Sequence, residues 1–313
     1  MPERTEGAPP TNAAAIERFG AWTKTQGLSQ SAAAKLVGCS SATLSQVLSG
    51  KYAGDVTRIA EMMGRALSRA DRHARAPKKP EIAMSSVCVE CLDTLRTAHD
   101  EGVMAVIMGL SGAGKTSAAR FYLKAEPETI LITLRPNGRK GTHGSGRFLL
   151  HRLADGLGVE HDECSSQAEL IDDCGAALKG SGRLVIIDEI DYAAEDTLQC
   201  VRMIHDVAET GIVMLATPAF LEKLRSRRSS TIAQFVNRIA YRCIVGKLTD
   251  DDVELILPQG FDRATIAAAR IGAQGVARRL VYGYLAAQRI AAENGGKVDA
   301  KVMGQAFQTL MEA

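Results

Sequence analysis

Short apolar runs alternate with longer, helix-patterned segments between about residues 83 and 248. Five of these runs are nearly continuous in apolar residues: VMAVIMG, TILITL, RLVIIDE, GIVMLAT and YRCIVGKL. Each run is short, and a segment of helix length separates it from the next, which is typical of parallel strands buried on both faces. This part of the chain therefore predicts an α/β fold in which helices cover both faces of a parallel sheet.

The segments on either side of this α/β part carry helical patterns only. Residues 13–76 contain short helical segments rich in Ala, Leu and Ser, and the RAPKKPEI that follows is typical of a linker. After about Thr249 no strand pattern remains. We expect five parts: a flexible tail (1–12), an all-helical domain (13–76), a linker (77–82), an α/β core (83–248) and a C-terminal helical part (249–313).

The segment QSAAAKLVGCSSATLSQVLS has the spacing of a helix-turn-helix. Ala33 and Ala34 are small where two helices must approach, and Gly38 stands where the turn needs a positive φ. Ser40 can cap the second helix. The side chains that this helix would present to DNA are Ser41, Thr43, Ser45 and Gln46, of which the glutamine can pair with adenine. The alternative is a small helical interaction domain that does not contact DNA.

The stretch GLSGAGKT satisfies the pattern G-x-x-x-x-G-K-[ST] and lies between a predicted strand and a predicted helix. Its glycines let successive backbone N–H groups converge on phosphate oxygens, and the helix adds its positive N-terminal end. Lys115 would reach the β- and γ-phosphates of a nucleotide, and the Thr116 hydroxyl would ligate Mg²⁺. The predicted nucleotide contacts are Gly109, Leu110, Ser111, Gly112, Ala113, Gly114, Lys115, Thr116 and Ser117.

Polar residues follow two further predicted strands. Asp188, at the end of RLVIIDEID, fits the acid that holds Mg²⁺ through water, and Glu189 could polarise the attacking water. Asp191 fits a helix N-terminal charge better than a catalyst. Thr217, at the end of GIVMLAT, could sense the γ-phosphate or orient water, or it could simply terminate the strand before Pro218. These residues predict phosphoryl-transfer chemistry at the sheet edge.

Positive charge is concentrated in the first quarter of the chain. The net charge is +2, but residues 1–80 carry twelve Lys/Arg and six Asp/Glu. This excess indicates an anionic partner or, alternatively, a solvated basic surface. A second basic segment, LRPNGRKGTHGSGR, could follow a phosphate backbone or be a solvated loop. Its candidate DNA contacts are Arg135, Arg139, Lys140 and Arg147.

Composition excludes several other classes of protein. The chain has no apolar run of membrane-spanning length, and its N-terminal MPERTEGAPPTN lacks the apolar core of a secretory signal. The seven cysteines are scattered, which fits reduced thiols better than a disulfide framework. Cys88 and Cys91 form a C-x-x-C without a second pair, so a zinc site is not expected. We therefore expect a cytoplasmic protein.

Taken together, these motifs closely resemble one family, the AAA+ ATPases of DNA transposition of the phage Mu B type. The resemblance covers nearly the whole chain and includes SGKYAGDVTRIAEMM after the helix-turn-helix, the phosphate loop, RLVIIDEID, FVNRIAYR and GVARRL. It implies an AAA+ core with a C-terminal helical lid. It also implies that Arg238 of FVNRIAYR, or else Arg242, is an arginine finger supplied to a neighbouring subunit, and that Arg278 of GVARRL is a second nucleotide sensor.

The resemblance further implies a function. Proteins of this family use ATP and Mg²⁺, assemble on double-stranded DNA as helical filaments with little sequence preference, and leave the DNA after hydrolysis. They mark target DNA, and they recruit and stimulate the transposase. The expected setting is the cytoplasm of a bacterial host cell, on DNA.

Two other functions remain open from the sequence. A helix-turn-helix transcription regulator with an ATPase switch would bind one palindromic sequence as a dimer. A DNA-independent AAA+ motor would hydrolyse ATP without stimulation by DNA, and it would leave the helix-turn-helix unexplained.

Overall fold

The computed structural model describes residues 12–75, 80, 82–136, 144–226 and 230–311. Internal contacts divide the chain into two compact units, Met1–Pro77 and Lys78–Ala313. No helix within these described residues is long and apolar enough to cross a membrane. Residues 1–11 of the predicted tail and most of the predicted linker lie outside the described residues, and Asn12, the last residue of the predicted tail, belongs to the first helix.

The first unit is helical throughout its described residues. Its helices are α1 (Asn12–Thr25), α2 (Gln30–Val37), α3 (Ser41–Leu48) and α4 (Val56–Arg75). Phe19 of α1, Leu44 of α3 and Met63 of α4 are almost fully buried in one shared apolar cluster. The unit therefore has a hydrophobic core of its own.

The connection between α2 and α3 has the local features that the sequence predicts. Gly38 ends α2 in the left-handed region, with φ 83°, and its N–H donates to the carbonyl of Ala34. The Ser40 hydroxyl accepts from the backbone N–H of Thr43 at 3.0 Å and caps α3. Ala33 and Ala34 are buried where the helices pack. The predicted turn glycine and the predicted cap are confirmed.

The second unit is built on a five-stranded sheet in which every pairing is parallel, in the order β2-β3-β4-β1-β5. The strands are β1 (Met104–Met108), β2 (Ile130–Thr133), β3 (Val185–Asp188), β4 (Ile212–Ala216) and β5 (Ile239–Ile244). The predicted parallel α/β fold is confirmed. Only β5 differs from its predicted position, since it begins two residues before the predicted run. It is an edge strand in which only Ile239 is buried, and it has an extra residue opposite Met104 and Ala105.

Helices surround this sheet and form the C-terminal part of the unit. Before and between the strands lie α5 (Ser86–Glu101), α6 (Lys115–Ala125), α7 (Gly146–Leu157), α8 (Gln167–Leu178), α9 (Glu195–Ala208), α10 (Ala219–Ser226) and α11 (Ser230–Val236), with a three-residue 3₁₀ turn at Ile190–Tyr192. After β5 come α12 (Asp250–Ile256), α13 (Arg263–Ala273), α14 (Ala277–Glu293) and α15 (Ala300–Met311). The helical C-terminal part agrees with the sequence pattern.

Alternate residues of β1 enter two different apolar cores. Met104, Val106 and Met108 pack on the face covered by α7, α8 and α9. Ala105 and Ile107 pack on the opposite face, with α5, α6 and the C-terminal helices. Successive side chains of a strand point to opposite faces, so a strand covered on both sides is apolar along its whole length.

The two cysteines of the C-x-x-C sequence lie on α5, in the second of these cores. Cys88 and Cys91 are both buried and free. Burial, followed by the neighbouring thiols of Cys243 and Cys88, raises the pKa of Cys91 to about 12. Cys91 is therefore a neutral, packed thiol at physiological pH.

One carboxylate joins the C-terminal helices to α5. Asp252, in the first turn of α12, accepts from the backbone N–H of Ser86 at 2.6 Å and from its hydroxyl at 2.7 Å. It also accepts from the Thr249 N–H at 2.7 Å, while the Thr249 hydroxyl caps the N–H of Asp252 in return. Burial alone would raise the pKa of Asp252, but these hydrogen bonds together lower it.

We predict that Asp252→Asn lowers the free energy of unfolding at pH 7 by about 1–3 kcal/mol, because a buried, charge-assisted hydrogen-bond network is lost. A carboxyl whose pKa is lowered by folding stabilises above its unfolded pKa, and this stabilisation disappears as pH falls through the folded pKa. The difference from wild type should therefore shrink below the ordinary value of 3.8. Urea unfolding from pH 7 to the lowest pH at which the wild type stays folded measures it.

Asp251→Asn is the matched control, because Asp251 lies in the same helical turn but is exposed. It removes the same charge from the start of α12 without touching Ser86. Equal destabilisation by both substitutions would show that helix charge, and not the contact with Ser86, accounts for the effect.

Candidate nucleotide site

The carboxyl ends of β1, β3 and β4 meet at one edge of the sheet, where a cavity of about 610 Å³ opens. Ligands of open parallel sheets bind at this edge. The predicted site residues that line the cavity are Ser111, Gly112, Ala113, Gly114, Lys115, Thr116, Ser117, Asp188, Glu189, Thr217 and Arg278. The fold thus brings together residues that are far apart in the chain.

The loop after β1 has the backbone geometry that its glycines predict. Gly112 and Gly114 have φ values of 81° and 120°, which L side chains adopt only with strain. Gly114 is the residue before α6 and provides no side-chain cap. The first N–H groups of α6 are therefore available to an anion in the cavity.

Lys115 is folded back over this loop. Its Nζ donates to the carbonyl of Gly109 at 2.7 Å and to that of Leu110 at 3.1 Å. Burial lowers the pKa of Lys115, and the negative charge of Asp188 opposes that shift. The ammonium group therefore lies beside the cavity, where it can exchange neutral carbonyl partners for a charged one.

Thr116 and Asp188 form a pair of oxygen ligands. The Thr116 hydroxyl donates to Oδ2 of Asp188 at 2.9 Å, and the backbone N–H of Glu189 donates to Oδ1 at 2.9 Å. The Asp188 side chain is almost fully buried. A hydroxyl next to a carboxylate is a donor set that suits Mg²⁺, a hard cation with a preference for oxygen.

Glu189 has a left-handed backbone conformation, with φ 58°. For a residue other than glycine this costs roughly 1–2 kcal/mol. The Glu189 side chain lines the cavity, and its pKa is raised by partial burial and then by the charges of Asp188 and Asp191. Strained backbone of this kind is concentrated at functional sites.

Thr217 is bound at two points by Asp191. Its backbone N–H donates to Oδ2 of Asp191 at 2.8 Å, and its hydroxyl donates to Oδ1 at 2.5 Å. The sequence favours Asp191 as a helix N-terminal charge, whereas in the structure it lies in the 3₁₀ turn after β3 and contacts the end of β4. Since 26 residues separate the two, no local pattern reveals the contact.

The C-terminal helices contact the phosphate loop directly. The backbone N–H of Arg278, at the start of α14, donates to the carbonyl of Gly112 at 3.0 Å. Its guanidinium lies 3.5 Å from the Ser111 hydroxyl. The approach is close enough that a Cβ at Gly112 would lie 2.8 Å from the Cβ of Arg278.

Comparison with known proteins agrees with this geometry. Residues 98–224 match the family model described as an AAA domain. The chain carries an AAA domain. As the phosphate loop predicts, the protein is an ATPase of this type.

Relatives of this chain are named as ATP-dependent target DNA activators or as a Mu-like prophage DNA transposition protein. The chain is 27% identical over 278 residues to the ATP-dependent target DNA activator B of Escherichia phage D108, and the alignment covers 87% of each chain. It is 28% identical over 220 residues to the protein of the same name from Escherichia phage Mu, and that alignment covers 70% of this chain and 69% of the phage Mu protein. The predicted family resemblance is confirmed.

A solved structure supports the fold of the AAA domain. Cdc6p from Pyrobaculum aerophilum aligns with a TM-score of 0.51 and 15% identity. The alignment covers 71% of this chain and 65% of that one. At this identity the likeness concerns the fold alone.

Arg238 lies at the opposite end of the AAA sheet from the phosphate loop. It precedes β5, whereas the loop follows the parallel neighbour β1, so about the length of one strand, roughly 17 Å, separates them. Its guanidinium pairs with Asp206, with Nε 2.8 Å from Oδ1. Arg242 lies within β5 and is exposed. Neither arginine lines the cavity of its own chain.

The predicted DNA contacts of the AAA unit are only partly described. Arg135, after β2, and Arg147, on α7, are both exposed. The Arg147 guanidinium also donates to the carbonyl of Glu163. Arg139 and Lys140 lie outside the described residues.

In the helical unit, the predicted DNA contacts on α3 carry no charge. Ser41 and Gln46 are exposed, whereas Thr43 is half-buried with its hydroxyl 2.9 Å from that of Ser40. A more basic surface lies on α4. We call it the α4 arginine stripe, and it consists of Arg58, Arg65, Arg69 and Arg72, all exposed.

The spacing of the α4 arginine stripe places its members on one face of the helix. Arg65, Arg69 and Arg72 line a groove of about 840 Å³ together with Arg18 of α1. Glu61 pairs with Arg65 at 3.5 Å and leaves an excess of positive charge. The three- and four-residue spacing of these arginines, visible in the sequence, is the signal that identifies the stripe.

We predict that Gly112→Ala lowers the free energy of unfolding by about 1–3 kcal/mol, because the new methyl group would crowd Arg278 at a positive φ. Gly180→Ala is the matched control, since Gly180 has a φ of 70° with nothing near its Cβ position. Thermal unfolding of both variants separates close packing from backbone strain. Equal losses of unfolding free energy in the two variants would show that the close approach of α14 to Gly112 does not contribute to the destabilisation.

Proposed function

We propose that the protein is an ATP-switched DNA-binding ATPase that marks target DNA for transposition and stimulates a transposase. The observation that carries this proposal is the similarity to ATP-dependent target DNA activator B proteins over 87% of the chain. The phosphate-loop residues 111–117 and the carboxylates Asp188 and Glu189 line one cavity, whereas Gly109 and Leu110 of the predicted loop do not, and this clustering supports the proposal. In this proposal residues 13–76 form a DNA-binding domain, 83–248 the AAA+ core and 249–313 the lid.

The proposed nucleotide chemistry assigns one task to each side chain. Lys115 leaves the carbonyls of its own loop and binds the β- and γ-phosphates. Thr116 and Asp188 would hold Mg²⁺, which would supply positive charge to the phosphate oxygens of ATP. Glu189 polarises the attacking water. Arg278 joins the lid to the nucleotide, since it already contacts the phosphate loop.

We propose that hydrolysis is completed between subunits. Arg238 lies a strand length away from the phosphate loop of its own chain, but it is 43% exposed and can reach a neighbour's nucleotide. Asp206 orients its guanidinium. ATP bound between subunits would thereby couple nucleotide state to assembly into a helical filament on DNA. Arg242 is the second candidate for this role.

The proposed DNA contacts are electrostatic. Arg135, Arg147 and the α4 arginine stripe present exposed guanidinium groups, which bind phosphates without regard to sequence. Arg139 and Lys140 belong to the same proposed set. On α3, Ser41, Thr43 and Gln46 would add short-range contacts.

The decisive experiment measures binding to several unrelated duplexes over a salt series, with a non-hydrolysable ATP analogue, ADP or no nucleotide. Particle size is measured in parallel. Large assemblies on every duplex with the ATP analogue alone, weakening steeply with salt, would support the proposal. Tight binding of a small oligomer to one sequence, whatever the nucleotide, would favour a helix-turn-helix transcription regulator, for which the exposed Gln46 is the supporting observation.

We predict opposite effects on DNA complexes for two substitutions in the nucleotide site. Lys115→Ala should abolish ATP-dependent DNA binding, because the γ-phosphate loses its cation. Glu189→Gln should retain ATP binding but slow hydrolysis by at least about 100-fold, so that DNA complexes persist. Complex lifetime and phosphate release are measured together.

Lys124→Ala, on the exposed last turn of the same helix, is the control for loss of a lysine from α6. ATP-dependent DNA binding by Lys115→Ala at the wild-type level would contradict the nucleotide switch. Rapid dissociation of Glu189→Gln complexes would remove Glu189 from its role.

We predict that Arg65→Gln, Arg69→Gln and Arg72→Gln together weaken binding to all duplexes alike. The slope of log K against log[salt] should fall by about 2–3, close to one unit for each lost phosphate contact. The matched control replaces the exposed Lys24, Lys35 and Lys51, which removes the same charge away from the stripe. A larger loss of DNA affinity in the lysine variant would show that the DNA-binding surface does not lie on α4.

A further inference from the structure

The contact between Asp191 and Thr217 fixes the direction of a hydroxyl group. Thr217 donates both its backbone N–H and its hydroxyl to the two oxygens of one carboxylate, at 2.8 Å and 2.5 Å. Its own carbonyl accepts from the N–H of Phe220 at 3.1 Å. Backbone and side chain are therefore held at the same time, and the hydroxyl cannot rotate without breaking a short, charge-assisted hydrogen bond.

A count of hydrogen atoms shows what Thr217 can offer to the cavity. A hydroxyl has one hydrogen and two lone pairs, and an ionised carboxylate only accepts. Thr217 donates its single hydroxyl hydrogen to Asp191, and both residues line the nucleotide cavity. Only the lone pairs of the Thr217 hydroxyl therefore remain to face the cavity. Thr217 is an acceptor towards anything bound there.

This polarity separates the two roles that the sequence leaves open for Thr217. A γ-phosphate oxygen is itself an acceptor, so it cannot form a hydrogen bond with an acceptor-only hydroxyl. A water molecule can donate to that hydroxyl. We infer that Asp191 is a positioning residue that makes Thr217 an acceptor for the attacking water rather than a sensor of the γ-phosphate. The inference rests on the proposed ATP hydrolysis at this site.

The same polarity determines how the water is oriented. One hydrogen of the water points to Thr217 and the other to the carboxylate of Glu189, which leaves a lone pair for the γ-phosphorus. As the bond from the water oxygen to phosphorus forms, the bond from phosphorus to the β,γ-bridging oxygen breaks. The electron pair of that bond leaves on ADP, and one water proton passes to Glu189.

The test compares Thr217→Val, Thr217→Ser, Asp191→Asn and the double variant Asp191→Asn/Thr217→Val. Two quantities are measured for each: kcat of ATP hydrolysis, and the equilibrium Kd for ATP and for ADP. Valine removes the hydroxyl at nearly constant shape, whereas serine keeps it. Asparagine can accept from the Thr217 N–H but must donate to its hydroxyl, so the hydroxyl hydrogen turns towards the cavity.

We expect Thr217→Val and Asp191→Asn each to lower kcat by about 100-fold, the size of effect expected from a misplaced reactant. For Thr217→Val, the ratio of the Kd for ADP to the Kd for ATP should stay within about twofold of wild type. For Asp191→Asn, this ratio should not fall, so the preference for ATP over ADP should not be reduced. Thr217→Ser should recover most of the turnover lost with valine. The double variant should be no slower than either single variant, because both act on one hydroxyl.

Loss of ATP preference over ADP by about tenfold in Thr217→Val would overturn the inference, since it would show that the hydroxyl donates to the γ-phosphate. Multiplicative losses of kcat in the double variant would also overturn it. If Asp191→Asn does not fold, the comparison of valine with serine at Thr217 still decides between water and phosphate. Absence of Lys115-dependent hydrolysis in the wild type would overturn the proposed function together with the inference.

Discussion

The parallel register of the central strands determines where every polar group of the nucleotide site lies. Met108 of β1 is opposite Ala216 of β4, and Thr133 of β2 is opposite Asp188 of β3, so these strands end together. The N–H of Gly109 then donates to Ala216, which ties the start of the phosphate loop to the strand that Thr217 follows. A slip of one residue in any pairing would turn the acidic and hydroxyl groups away from each other.

Two contacts join the C-terminal helices to the elements that form this site. Arg278 reaches the phosphate loop through its backbone, and Asp252 joins α12 to the start of α5. A ligand can shift only those equilibria in which its contacts differ between states. Because the loop and α14 share a hydrogen bond, phosphates bound in the loop would act on the orientation of the helical part. The proposed ATP-switched assembly requires a coupling of this kind.

The sequence predicts the parts of the structure that depend on local rules. Continuous apolar runs identify β1, β3 and β4 because these strands are buried on both faces, and the phosphate loop is evident because its glycines need unusual φ values. Long-range contacts are not predictable in this way. Ser86 and Asp252 are 166 residues apart, and the Asp191–Thr217 contact depends on the register of β3 with β4. The sequence pattern predicts the start of the edge strand β5 two residues late, because the exposure of its side chains removes the apolar pattern.

The left-handed backbone of Glu189 has a consequence for the evolution of this chain. Glycine would adopt that conformation without a steric penalty, so the wild-type residue gives up part of a folding free energy that is only about 5–15 kcal/mol in typical domains. Selection for thermal robustness alone would favour glycine at this position. The proposed role of Glu189 in hydrolysis would account for a carboxylate at this position, and the stability that it costs has to come from elsewhere in the domain.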